Sequence, residues 1–176
     1  MPSSALTSGV PLYPRQAVPG VRSIYVSQIT NLSGSVSVSS GSVVSIPFAV
    51  GSGSQFYQYN FPVDTAKWTQ DGKAEQPNGA VKVEQTVDFE LPWYQLATRN
   101  QLKQLAQVDC MVIVQNADSN YYLFGATRGM TLTDFKSDSG TKLGDFSGWK
   151  CVFKGSEPEE AFYVTGSLIP ALLIPS

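Results

Sequence analysis

The sequence predicts an α+β protein that is mainly β: an antiparallel β-sandwich or barrel-like sheet with one flanking α-helix at about residues 93–107. Three observations predict this class. Segments of alternating apolar and polar residues recur along the chain, separated by Gly-, Ser- and Asn-rich clusters. One segment alone has apolar residues at convincing helical spacing. The strand segments after it are joined by short connections, as in an antiparallel meander.

One domain, residues 23–166, is expected between two extensions, and a chain of 176 residues is long enough to bury a core. Residues 1–22 contain four prolines and no periodicity, which predicts an extended N-terminal arm. Residues 167–176 are apolar but interrupted by proline, which predicts a C-terminal extension. The apolar side chains of the arm are candidates for docking on a neighbouring subunit: Leu6, Val10, Leu12 and Tyr13.

The first strands are predicted from the segment IYVSQI and from the Ser- and Val-rich stretch that follows it. That stretch suits either a flexible linker or strands, and the regular spacing of Val36 and Val38 favours strands. Gly34 and Gly41 mark expected turns. The aromatic run FYQYNF predicts a further strand.

Two turn signals precede the longest predicted strand. They are Asp71-Gly72 and Asn78-Gly79, dipeptides that favour tight hairpin turns. The alternating segment VKVEQTVDFEL then predicts a long strand that ends at Pro92.

The predicted helix carries an apolar stripe on one side and a polar face on the other. The polar face includes Arg99 and Lys103, which lie four residues apart and point either to a partner or to water. The stripe consists of Leu96, Leu102, Leu105 and Ala106.

The C-terminal part predicts a meander. A buried strand is expected in DCMVIVQN, and YYLFGATRGMTLTDF suits one strand or two strands broken at Gly125 or Gly129. GWKCVFKG and AFYVTGSLI complete the set. Cys110 and Cys151 both lie in apolar strand segments, so two buried thiols in adjacent strands are expected.

Composition argues against several classes of function. The chain has no histidine, which excludes Ser-His-Asp and Cys-His catalysis and removes the commonest metal ligand. The net charge is -2, so no basic excess is present for sequence-independent DNA binding. No signal peptide and no membrane-spanning apolar segment are recognisable. We therefore expect no enzyme, no cofactor and no membrane partner.

The segment SDSGTKLGDFSGWKCVFKG poses the sharpest choice between a catalytic site and a connection. Ser139 and Lys142 have the Ser-x-x-Lys spacing of some acyl-transfer enzymes, but the motif needs a helix start that Gly140 and Gly144 disfavour. We interpret the segment as a loop between two strands at a subunit contact. The candidate interface residues there are Asp138, Lys142 and Asp145.

The other acidic cluster is in SEPEE, where Glu157, Glu159 and Glu160 follow one another closely. Its spacing is not that of a calcium loop, so a solvated or interface turn is expected.

Several segments together resemble small structural proteins of tailed bacteriophages and prophages of Bacteroidetes-type bacteria. They are VRSIYVSQI, FYQYNFPVDTAKWTQD, NGAVKVEQTVDFELP, RNQLKQLAQ and the stretch from NYYLFG to EPEEAFYV, within residues 20–165. The layout is similar to the phage tail tube fold, in which a β-sandwich with a flanking helix forms six-fold rings that stack into a tube.

The resemblance implies a structural virion protein, assembled in the bacterial cytoplasm, whose partners are its own copies and other virion proteins. Genomic DNA would pass through the lumen without specific binding. A head–tail connector or a capsid-decorating protein is the alternative within this class. A carbohydrate- or host-binding module is the alternative from another class, suggested by the aromatic residues Phe56, Tyr57, Tyr59, Tyr121, Tyr122 and Trp149.

Overall fold

The computed structural model of the protein describes residues 20–49, 56–60, 62, 64–75, 80–92 and 95–172. The arm residues predicted to dock on a neighbour, Leu6, Val10, Leu12 and Tyr13, lie outside these ranges. Strand β1 begins at Val21, two residues before the predicted start of the domain.

The strands form two sheets. The larger has the order β2-β3-β11-β8-β7-β1-β4 and the smaller the order β5-β6-β10-β9. All strand pairs are antiparallel except β3 and β11, which run parallel. The strands are β1 (Val21–Gln28), β2 (Ser37–Ser39), β3 (Ser42–Ser45), β4 (Tyr57–Asn60), β5 (Ala66–Glu75), β6 (Ala80–Pro92), β7 (Cys110–Asn116), β8 (Tyr121–Phe124), β9 (Thr131–Asp138), β10 (Gly148–Glu157) and β11 (Phe162–Val164).

The helical content is small, so the predicted mainly β class is confirmed. Among the described residues the longer helix is α1 (Leu96–Leu105), within the predicted range, and α2 (Ile169–Leu172) is a single turn. A 3₁₀ turn at Ile29–Asn31 follows β1.

The main core lies between the two sheets. Alternation along β6 points Val87, Phe89 and Leu91 inward, where they meet β10, and the rings of Phe89 and Phe153 stack at 5.9 Å. Burial of each such ring stabilises the fold by roughly 2–3 kcal/mol. From the helix, only Leu102 is fully buried, and it fixes α1 to this core.

The other face of the seven-stranded sheet is also covered. Its side chains, among them Tyr25, Ile113 and Leu123, pack against Phe56 and against Leu172 of α2. The Phe56 N–H donates a hydrogen bond to the Leu172 carbonyl at 2.8 Å, which ties these two covering segments together. Strand β7 is therefore buried on both faces, as the continuous apolar run DCMVIV suggested.

Of the two Asx-Gly signals before β6, only Asp71-Gly72 lies within the described residues. The turn predicted at Asp71-Gly72 is wrong, because β5 runs through it with Asp71 opposite Glu84 and Gly72 opposite Val83. All ten residues of β5 pair with β6, between Ala80 and Phe89, and this pairing overrides the local dipeptide. The connection between β5 and β6 therefore falls at 76–79, which includes Asn78-Gly79 and lies outside the described residues.

Two other turn predictions are settled by the structure. A tight turn between β2 and β3 uses Ser40 and Gly41, both with positive φ, 50° and 78°. The segment YYLFGATRGMTLTDF contains two strands, since β8 ends at Phe124 and β9 begins at Thr131.

Both cysteines are buried and free, as predicted, but they do not lie in adjacent strands. Cys110 is in β7 of the larger sheet and Cys151 is in β10 of the smaller one. The chain crosses from one sheet to the other between β8 and β9, which separates two segments that look equivalent in sequence. Burial raises the pKa of Cys110 and that of Cys151 to about 12, so both thiols stay protonated near neutral pH.

Candidate assembly surface

Charge is distributed unequally between the two sheets. Arg22 is the only charged residue in the seven strands of the larger sheet, whereas every strand of the smaller sheet carries several. The larger sheet thus presents almost neutral edges and faces.

The charges of the smaller sheet are largely paired with one another. Each of the five ion pairs among the described residues joins two side chains of this sheet, for example Lys150–Glu90 at 2.9 Å and Lys67–Asp88 at 3.5 Å. In both examples the two residues lie directly opposite each other on neighbouring strands. These exposed pairs contribute little to stability, about 0–1 kcal/mol each, but they leave the sheet face nearly neutral overall.

Strand β9 is an open edge of the smaller sheet. It pairs only with β10, and its residues from Thr133 to Asp138 are all exposed. Phe135 is 48% exposed, although its ring contacts the Trp149 ring at 6.3 Å. An exposed edge with unpaired backbone groups and an aromatic side chain is suited to pairing with another chain.

The loop at 139–147, which joins β9 to β10, is organised by two of the predicted interface residues. The Asp145 carboxylate accepts hydrogen bonds from the backbone N–H of Thr141 at 3.0 Å and of Lys142 at 2.8 Å. The Asp138 carboxylate accepts one from the Gly140 N–H at 3.0 Å. Backbone hydrogen bonds from Thr141 and Lys142 lower the pKa of Asp145, so its charged, loop-holding form is favoured.

The tip of this loop points into solvent. Leu143 is fully exposed, at 108%, and the neighbouring Lys142 forms no ion pair with any described residue. The Ser139 hydroxyl donates to the Gly140 carbonyl rather than to Lys142. The Ser-x-x-Lys spacing therefore lies in an exposed loop outside any helix, and the loop presents one aliphatic side chain beside one cation.

The helix begins at the same end of the sheet as this loop. Pro92 pairs with Gly148, Gly148 pairs with Asp138, and α1 starts at Leu96, four residues after Pro92. We call the exposed side chains at this end the β9–α1 surface. They are Leu96, Phe135, Asp138, Lys142 and Leu143.

The apolar stripe predicted for the helix is only partly correct. Leu102 is buried and Leu105 and Ala106 are half-buried, but Leu96 is 68% exposed. The helix meets the core near its centre and its C-terminal half, so its first turn projects beyond the sandwich. Arg99 and Lys103 are exposed, without an ion pair to any described residue.

Sequence reasoning missed one buried carboxylate. Glu157, expected in a solvated turn, is the last residue of β10 and is only 4% exposed. Its carboxylate accepts hydrogen bonds from three consecutive backbone N–H groups, those of Thr127, Arg128 and Gly129, with the shortest at 2.8 Å to Arg128. No pattern in SEPEE distinguishes it from its neighbours.

Buried Gln85 holds the other end of the same segment, the one that joins β8 to β9. Its amide oxygen accepts from the Gly125 N–H at 3.0 Å, and its amide nitrogen donates to the Glu159 carbonyl at 3.3 Å. Together Gln85 and Glu157 fix the segment that carries the chain from one sheet to the other. This segment leads directly into β9, so these two residues determine where the open edge lies.

Within the described ranges, no group of three or more Cys, Asp or Glu side chains is placed to hold a metal ion. No helix there is long and apolar enough to cross a membrane. Comparison of the chain with known protein families, with curated proteins and with solved structures found no match.

Proposed function

We propose that this protein is a structural virion subunit that acts by self-assembly, and that it forms the tail tube of a tailed bacteriophage. In this proposal copies join into six-fold rings, the rings stack, and genomic DNA passes through the lumen. The ring number and the stacking come from the resemblance of the sequence to tail tube-like proteins. The partners are further copies of the chain and other proteins of the virion, which is assembled in the host cytoplasm.

The observation that carries this proposal is the β9–α1 surface. An open strand edge, an exposed aromatic ring and a fully exposed leucine at a loop tip occur at one end of the same sheet. The exposed apolar area costs free energy because it stays hydrated, and the open edge offers backbone groups that another strand can pair with. A neighbouring subunit that covers them would remove that cost, and a ring lets every copy do so.

Charge supports the conduit role. A lumen that lets DNA slide must lack a net positive surface, since paired phosphates and lysines would hold the DNA in place. The outer face of the smaller sheet largely meets this requirement, because five of the six lysines in its strands are paired with carboxylates, as in Lys67–Asp88 and Lys154–Asp134, and Lys136 is the exception. The net charge of -2 agrees with the same requirement.

The test is assembly of the purified protein, followed by sedimentation velocity and negative-stain imaging across a range of concentrations. We expect rings or tubes from the native chain. Leu143→Asp and Lys142→Glu should shift the population toward monomers with an unchanged melting temperature, since both side chains are exposed. Val44→Asp is the matched control, because Val44 is 56% exposed but lies in the larger sheet.

Two results would overturn the proposal. One is a native chain that stays monomeric at every concentration. The other is a Leu143→Asp variant that assembles as well as the Val44→Asp control. The alternative of a head–tail connector or capsid-decorating protein predicts a different copy number per particle, which quantitative mass spectrometry of virions measures.

A further inference from the structure

A cleft of about 360 Å³ lies between edge strand β4 and helix α1. Its volume is at the lower end of the range for small-molecule sites, roughly 300–1,000 Å³. Val26, Ser27 and Leu105 form part of its wall. The remaining wall consists of amide and phenol side chains: Gln28, Asn31, Tyr57, Tyr59, Gln101 and Gln104.

Two elements hold these polar groups in place. Tyr57 and Tyr59 are two residues apart in β4 and therefore share one face of the strand. Gln101 and Gln104 are three apart in α1 and therefore lie on the same side of the helix. The buried Leu102 between them anchors the helix, so the two amides face the cleft from a fixed support.

The two tyrosines have different surroundings. Tyr59 is half-buried and its ring contacts the Phe89 ring at 6.4 Å. Burial raises the pKa of Tyr59 to about 12, so its hydroxyl stays a neutral donor at physiological pH. Tyr57 is 56% exposed and lines the cleft, so part of its ring is accessible to a ligand.

The chemistry of the wall selects a class of ligand. None of the described lining residues is charged, so an anion or a cation would find no counter-charge. Gln28 and Asn31 are half-buried and Gln101 and Gln104 are exposed. A wholly apolar ligand would separate these four amides from water without replacing their hydrogen bonds. Amides both donate and accept, which matches hydroxyl groups that also do both. An exposed phenol ring offers a flat apolar face beside these groups.

We propose that this cleft binds a neutral saccharide of one or two sugar rings, whose apolar face packs on Tyr57 and whose hydroxyls bond to the surrounding amides. An extended peptide is the less favoured occupant. Peptide addition at an edge strand relies on the backbone groups of that strand. Here the polar groups converge from side chains on opposite sides of the cleft. The inference does not depend on the tail tube proposal, since the cleft and the β9–α1 surface share no residue.

The experiment is isothermal titration and saturation-transfer NMR of the full chain with four neutral disaccharide probes: maltose, cellobiose, diacetylchitobiose and lactose. We expect at least one probe to bind. For that probe, Tyr57→Ala and Gln101→Ala should each weaken binding at least tenfold, which corresponds to about 1.4 kcal/mol. Tyr57→Phe keeps the ring face and should retain most of the affinity.

Lys103→Ala is the matched control, because Lys103 is exposed on the same helix but does not line the cleft. It should bind the probe like the native chain. The exposed positions of Tyr57 and Gln101 allow both variants to fold, and thermal unfolding checks this. Sedimentation of the same variants separates this test from that of assembly, since loss of saccharide binding with normal oligomers affects the cleft alone.

Three results would overturn the inference. The first is the absence of binding by all four probes at millimolar concentration. The second is a probe that binds Tyr57→Ala and Gln101→Ala as tightly as the native chain. The third is binding of an uncharged extended peptide that displaces the saccharide and survives both substitutions, since this would assign the site to strand addition along β4.

Discussion

Replacement of Glu157 by alanine should destabilise the fold far more than replacement of either neighbouring glutamate. The Glu157 carboxylate accepts from the Arg128 N–H at 2.8 Å and from the Gly129 N–H at 3.2 Å, and it is only 4% exposed. Glu160, three residues further along, is exposed. The two positions thus test the same chemical change in two surroundings.

The magnitude follows from the contacts. A hydrogen bond to a charged group contributes about 1.5–3 kcal/mol, and the bond from Arg128 is the short one. Gly129 is buried, so its N–H would lose its acceptor at a cost of about 1–3 kcal/mol. Thr127 and Arg128 are exposed, so water replaces part of what their N–H groups lose. Removal of a buried charge gives some free energy back. The net loss should be about 2–4 kcal/mol.

The assay is urea unfolding with linear extrapolation to water, applied to the native chain, Glu157→Ala, Glu157→Gln and Glu160→Ala. Glu160→Ala should lie within about 0.5 kcal/mol of the native value. Glu157→Gln keeps one acceptor oxygen and should lose less stability than Glu157→Ala. Hydrogen exchange at the Gly129 amide should quicken in both Glu157 variants. A Glu157→Ala variant as stable as Glu160→Ala would refute the argument that this carboxylate holds the crossover.

Two further outcomes are expected, one from the burial of two thiols and one from the close approach of the backbone to a glycine. The thiols of Cys110 and Cys151 have a folded pKa of about 12 against roughly 8.5 in an unfolded chain, so the unfolded state releases their protons first as pH rises. The contribution of these thiols to the free energy of unfolding should therefore be constant below about pH 8. Between about pH 8 and pH 12 it should fall by up to about 1.4 kcal/mol per pH unit for each thiol. A double Cys→Ala variant should show a flatter pH profile, and an unchanged slope would contradict the assignment. Gly148→Ala should lower the melting temperature measurably, because Gly148 has φ 155° and an added Cβ would overlap the Leu91 carbonyl oxygen. Gly144→Ala, where no described atom lies within 4 Å of the added Cβ, separates that overlap from the strain of positive φ alone, and equal losses would refute it.

Local pattern was sufficient for most of the elements. Alternation in VKVEQTVDFEL predicts β6, and the structure pairs that strand with β5 on one side and β10 on the other. The Leu spacing in RNQLKQLAQ predicts α1, and Ser40-Gly41 forms the turn that Gly41 indicated. These features depend on interactions between residues close in the chain, which a single sequence displays directly.

Contacts between distant segments were not encoded in any local pattern. Leu96 and Leu102 have the same residue type and helix, yet the first is 68% exposed and the second 1%. The helix packs on the core through Leu102, Leu105 and Ala106, and the sequence does not specify which part of the helix makes this contact. Gln28 and Gln101 line one cleft. The periodicity of a helix or a strand predicts which of its own residues share a face, but it does not predict which elements meet.

By itself, then, the sequence determined the element types, the buried character of both cysteines and the absence of histidine chemistry. The tertiary structure alone decided that Cys110 and Cys151 belong to different sheets, that Asp71-Gly72 continues a strand, and that Glu157 is buried while Glu160 is not. The physical reason is the same in each case. Side-chain alternation and turn propensity act over a few residues, whereas sheet membership and burial depend on pairing with strands that lie far away in the chain.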